Sequence, residues 1–201
     1  MKVYLKFLTA VALAVLIGLP AVAAASGSHS TVNKSIKIGD YTTTGDVDSV
    51  NGSIRIGANS FVKSVDSVNG SIKLGNDVTV DRSVDAVNGA ITLEPGCEVG
   101  GDVETVNGGI RLENARVAGD VETFNGQLRI LDGSEVSGNV LVRKSKGWGS
   151  NNRRKPVRVE IGKDVVIHGD LIFEHPVELR LHDTARVGEI IGDEVEVVGN
   201  S

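Results

Sequence analysis

Aromatic side chains make up only 3% of this 201-residue chain, and one residue each is cysteine, methionine and tryptophan. A single cysteine, Cys97, excludes an internal disulfide, so stability has to come from packing and backbone hydrogen bonds. No stretch repeats its apolar residues at helical spacing, which excludes an amphipathic-helix fold. Nor does any serine, cysteine or paired acid stand in an evident nucleophile or acid–base arrangement, and no enzymatic activity is expected. His168, His175 and His182 are spaced by seven, which matches neither one strand face nor one repeat, so no metal site is expected. No cofactor is implied.

What the chain has instead is a short period. Asn-Gly occurs at Asn51-Gly52, Asn69-Gly70, Asn88-Gly89, Asn107-Gly108 and Asn125-Gly126, in steps of 18, 19, 19 and 18 residues. Asn33 is an earlier copy, with Lys34 in place of the glycine. Aligned on Asn, the copies form apolar columns. These are Val47, Val65, Val84, Val103 and Val121; Val50, Val68, Val87, Val106 and Phe124; Ile54, Ile72, Ile91, Ile110 and Leu128; and Ile56, Leu74, Leu93, Leu112 and Ile130. A further column is read as Phe61, Val80, Val99, Val117 and Val136.

The Ile-x-Ile pairs have period two and read as strands with one buried face. Asn-Gly on its own signals a two-residue hairpin. A hairpin, however, does not require each column to keep its chemistry over five layers. The sequence therefore predicts an all-β fold: a single-stranded parallel β-helix (β-solenoid) of about eight coils of 18–19 residues. Internal spacings of 3, 4 and 2, rather than a hexapeptide period, point to the right-handed form.

The corners are expected to use positive φ at Asn-Gly, with Gly-Asp-type corners such as Gly101-Asp102 and Gly119-Asp120 elsewhere. Asn51, Asn69, Asn88, Asn107 and Asn125 are expected to form an inward structural ladder, each amide bonding the next layer. Cys97 aligns with Val78, Ala115 and Ser134 and is expected to face inward as an inert small group.

The pattern Gly-Asp-Val…Val-Asn-Gly-x-Ile-x-Leu resembles the adhesin-like β-solenoid domains of secreted bacterial proteins. The stretch Val159–Gly192, with Ile-Gly-x-x-Val-x-Ile-x-Gly-Asp-Leu, is similar to the bactofilins, a polymer-forming cytoskeletal family. Together the two likenesses cover about residues 33–199. The second implies a right-handed β-helix that polymerises end to end without nucleotide. This chain departs from bactofilins in its first 25 residues. Lys2 and Lys6, the apolar run Phe7 to Leu19 and the small residues Ala21 to Ala25 read as a secretory signal peptide. An exported protein of the periplasm or cell surface is expected, with residues 26–201 as the β-helix domain and no transmembrane segment in the mature chain.

Without the two leader lysines the chain counts 19 basic against 26 acidic residues, a charge of −7. Asp48, Asp66, Asp85, Glu104 and Glu122 form an acidic column. Lys37, Arg55, Lys73, Arg111 and Arg129 form a basic one, broken at Thr92. Both are read first as solvated faces. A basic loop insertion at about 143–158 holds seven cations, no acid and the only tryptophan. Arg143, Lys144, Lys146, Trp148, Arg153, Arg154, Lys155 and Arg158 make it a candidate patch for an anionic envelope polymer or lipid. Nucleic acid is not expected as a partner of an exported protein. A structural, adhesin-like or self-assembling envelope role, with end-to-end self-association, is the expectation. A carbohydrate-active β-helix enzyme and a cation- or ligand-binding module are the alternatives.

Overall fold

A computed structural model describes residues 27–144 and 155–199. The expected signal peptide, and Lys146, Trp148, Arg153 and Arg154 of the insertion, lie outside the described residues. The fold is an all-β parallel solenoid of about eight turns. Three sheets form its walls, and every strand pairs in parallel with its copies in the neighbouring layers. The first sheet has nine strands, from His29–Thr31 and Val47–Asn51 through to Ile190–Ile191. The second also has nine, from Ile36–Ile38 and Ile54–Ile56 to Val195–Gly199. The third has six two-residue strands, from Phe61–Val62 to Val166–Ile167.

The alternation of each strand decides its inner face. In the first sheet Val47, Val65, Val84, Val103 and Val121 stack in register, each with no exposed surface. In the second, Ile54, Ile72, Ile91, Ile110 and Leu128 do the same. β-Branched side chains suit this pleated wall, and each buried Val, Ile or Leu is worth about 1.5–3 kcal/mol. No large ring appears among the largest fully buried side chains. Each inward residue must fit under its copy one layer, about 4.8 Å, away.

Two columns differ from expectation. Val50, Val68 and Val106 are 41%, 41% and 36% exposed, on the outer face. The inward partner in that strand is the preceding small residue, Ser49, Ser67, Ala86, Thr105 or Thr123, because period two puts positions one apart on opposite faces. Thr105 and Thr123 donate their hydroxyls to the carbonyls of Gly89 and Gly108, at 3.0 and 3.1 Å. In the third sheet, Phe61 pairs with Thr79 and faces out, while Val62 stands over Val80. The step there is 18 residues, not 19.

The corners also follow a different logic. None of the Asn-Gly pairs has positive φ. Left-handed residues gather instead where the second sheet turns into the third: Tyr41, Asn59, Asp77, Gly96, Asn114, Asp132 and Asp164. All but Tyr41 are types that tolerate this conformation. Tyr41 is 80% exposed, so its ring contributes little packing. Tyr41→Asn is therefore expected to stabilise the fold by about 1 kcal/mol, read as a raised denaturant midpoint. A lowered midpoint would show that the ring is held by a contact worth more than the strain.

At the Gly-Asp corners, side chains knit the layers together. Asp120 N–H donates to Asp102 Oδ1 at 2.8 Å, Asn139 N–H to Asp120 Oδ1 at 2.7 Å, and Asp170 N–H to Asn139 Oδ1 at 3.0 Å. Past Val142 the chain leaves the wall for the insertion and returns in register, with Val159 on Leu128 and Leu171 on Val140. The insertion thus takes the place of an Asn-Gly corner without shifting any column.

Candidate functional site

The corner between the first and second sheets carries the most regular chemistry on the rod. The asparagine ladder forms there, but outward, not inward. Asn51 Nδ2 donates to Asn33 Oδ1 at 3.0 Å, Asn69 to Asn51 at 2.8 Å and Asn88 to Asn69 at 2.9 Å. Asn107 donates to Asn88 at 2.9 Å and Asn125 to Asn107 at 3.0 Å. All five donating residues are exposed. The wall's alternation runs inward Val, outward Asp, inward Ser, outward Val, and the asparagine follows as the chain turns, beyond the last inward position. Each bond contributes about 1 kcal/mol or less in contact with water. The ladder therefore fine-tunes a register that the apolar columns set.

On the first-sheet side of this corner runs the acidic column. Asp48, Asp66, Asp85, Glu104 and Glu122 stack in register, all half-buried. Burial pushes the Asp85 carboxyl up to about 8, and the negative charges of Asp66 and Glu104 in the adjoining layers add to it. Burial and then Glu122 raise Glu104 to about 7. Burial and then Asp48 raise Asp66 to about 6. At neutral pH the column therefore keeps some of its protons, which relieves repulsion that five stacked charges would otherwise exert. On the second-sheet side runs the basic column, Lys37, Arg55, Lys73, Arg111 and Arg129, with Thr92 in line.

The described part of the insertion is anchored to the rod's own acids. Arg143 Nε lies 3.0 Å from Glu122 Oε2, and its Nη1 lies 3.4 Å from Glu174 Oε1. These two carboxylates favour its charged form and outweigh the opposing effect of burial. Arg158 Nε is 3.6 Å from Glu178. Lys144 and Lys155 are exposed. Of the candidate patch, two guanidiniums are thus engaged within the chain, and two ammoniums face solvent.

The three histidines are held separately. His168 contacts Glu135 at 2.8 Å, His175 is buried against the Pro176 carbonyl at 3.0 Å, and His182 meets Thr184 at 3.0 Å. Among the described residues no group of three or more metal-ligating side chains converges, and no helix is long and apolar enough to cross a membrane.

Cys97 lies inward with no exposed surface, in one column with Val78, Ala115, Ser134 and Val165. Its thiol donates to the Gly75 carbonyl at 3.0 Å, and burial pushes its pKa up to about 11. Native-state labelling by a thiol reagent is expected to be slower than in denaturant by several hundredfold or more, because both access and the thiolate are lacking. Labelling at the rate of the unfolded chain would contradict this packing.

Compared with known proteins, the chain matches no family model, no curated protein and no solved structure.

Proposed function

We propose that the protein is an exported structural element of the bacterial cell envelope, a non-enzymatic β-solenoid with an adhesin-like or self-assembling role. The observation that carries this reading is the C-terminal coil. The inward columns continue into Ile190 and Val197, but these are 41% and 58% exposed. Ile191 beside them is 45% exposed. Among the described residues, the strands Ile190–Ile191 and Val195–Gly199 are also the outermost members of their sheets. An apolar column end with open strand edges favours pairing with another β surface, and a heterologous pairing of this kind extends without closing. The signal-like leader and the likeness to adhesin-like and bactofilin repeats support the same reading.

Light scattering and negative-stain microscopy of the purified protein over a range of concentrations test it. Concentration-dependent assembly is expected, and Ile190→Lys with Val197→Lys should abolish it while leaving the thermal melt within a few degrees, because both side chains are exposed. A protein that stays monomeric at high concentration and physiological salt would overturn the self-assembling role.

A further inference from the structure

Three consecutive layers of the second sheet repeat a serine, an isoleucine and a cation: Ser35-Ile36-Lys37, Ser53-Ile54-Arg55 and Ser71-Ile72-Lys73. The register stacks the isoleucines, which are buried, and stacks Lys37, Arg55 and Lys73 beside them. Strand alternation therefore turns the serine and the cation outward on either side of each isoleucine. Lys37, Arg55, Ser35 and Ser71 are exposed, and the Lys73 side chain is 52% exposed. The ladder amides of Asn33, Asn51 and Asn69 stand along the adjoining corner. The result is three parallel columns of carboxamide, hydroxyl and cation, repeated once per layer.

The later layers of the same column differ. Arg111 pairs with Glu113, Arg129 with Glu160, and Arg180 with Glu178. Lys73 meets Glu94. Among the described residues no carboxylate pairs with Lys37 or Arg55. The positive charge of Lys37 and Arg55 is thus left for an external anion, in a chain whose net charge is negative.

We propose that this face binds a linear acidic polysaccharide laid along the rod axis, with its carboxylates on Lys37 and Arg55 and its hydroxyls on the serine and asparagine columns. The layer repeat of about 4.8 Å sets the cations and hydroxyls at regular steps along the rod axis, so a linear polyanion laid along it can meet several layers at once. Hydroxyl and carboxamide groups both donate and accept, as sugar hydroxyls do. A single-stranded nucleic acid would want aromatic platforms for its bases, and these three columns hold none. A lipid surface would want an outward apolar column, and the apolar column of this corner lies on the other side, with Val50 and Val68 beside the acids. The inference rests on the reading of the protein as a displayed envelope element and names its partner.

The test is binding of polygalacturonate oligomers to the whole protein by calorimetry, with neutral dextran oligomers and polyphosphate as comparisons. Lys37→Gln and Arg55→Gln together should weaken polygalacturonate binding by roughly tenfold, the scale of two exposed charge contacts. A second variant, Lys163→Gln with Arg186→Gln, removes the same charge from other parts of the surface and should change binding by less than about threefold. Dextran should not bind. Equal losses in the two variants, tighter binding of polyphosphate to the same column, or no polygalacturonate binding would each overturn the proposal. Light scattering of the same samples separates the two readings. Polygalacturonate binding by a strictly monomeric protein would overturn self-assembly and leave this inference standing.

Discussion

Gly108→Ala is expected to destabilise the fold by about 3 kcal/mol or more, and Gly89→Ala by a similar amount. A Cβ on Gly108 would lie 2.0 Å from the carbonyl oxygen of Gly89, and one on Gly89 would lie 2.1 Å from that of Gly70. The obstacle is backbone, not a side chain that can swing away, and the same approach repeats at Gly52, Gly70 and Gly126. Relief would require two layers to separate, which loosens the ladders on both neighbouring walls. Asn88→Ala is the contrast. It removes two exposed ladder bonds, from Asn88 to Asn69 and from Asn107 to Asn88, and should cost about 1 kcal/mol. Denaturant melts of the pair decide the matter. Equal, small losses would mean that the layers are not held at the spacing described.

Lowering the pH from 9 to 6 is expected to stabilise the protein. The folded-state pKa values of Asp66, Asp85 and Glu104 are raised, to about 6, 8 and 7. The folded chain therefore binds protons more tightly than the unfolded one. The stability this contributes is full below the ordinary carboxylate range and is lost as the pH rises through 6 to 8. Asp46, held low chiefly by a hydrogen bond from Ser64, and Glu135, held low chiefly by His168, act in the opposite sense, but only as the pH falls below their ordinary range. Asp85→Asn should raise stability at pH 9 by roughly 2 kcal/mol and flatten the pH profile, the effect being scaled down because the group keeps some contact with water. A melting temperature that rises from pH 6 to 9, or an Asp85→Asn variant no more stable than the parent at pH 9, would contradict a half-buried column under mutual repulsion.

The solenoid was legible because one physical demand recurs in every layer. Val84 must fit beneath Val103 and above Val65, so the period is written five times over. Cys97 was legible for the same reason, being one member of a column of small or apolar residues. The direction of the asparagine ladder was not. A stacked carboxamide satisfies its neighbour equally well inside or outside, and only the alternation ending at Ser49 and Val50 places it outside. The reason for the glycines is not legible in the sequence either. A glycine required by a carbonyl 2.0 Å from its absent Cβ looks the same in sequence as one required by positive φ. The true left-handed corner was visible as Asn59, Asp77, Gly96, Asn114, Asp132 and Asp164, but its residue types vary and its offset from the strand shifts by one. The charged columns were readable as columns. The protons held by Asp85 and Glu104 were not, because they follow from burial that no residue type announces.

The asparagine ladder also has a sense. From Asn125 to Asn51 every Nδ2–H points toward the preceding layer, so six side-chain amides, including the acceptor Asn33, are aligned head to tail. Their dipoles add along the rod, as peptide dipoles do along a helix, with the positive end at Asn33 and the negative end at Asn125. Lys34 and Lys37 lie beside the positive end. The negative end lies at the last layer before the chain departs into its cation-rich insertion. The rod therefore carries an electrical axis, attractive to anions at its first layers and to cations at its sixth.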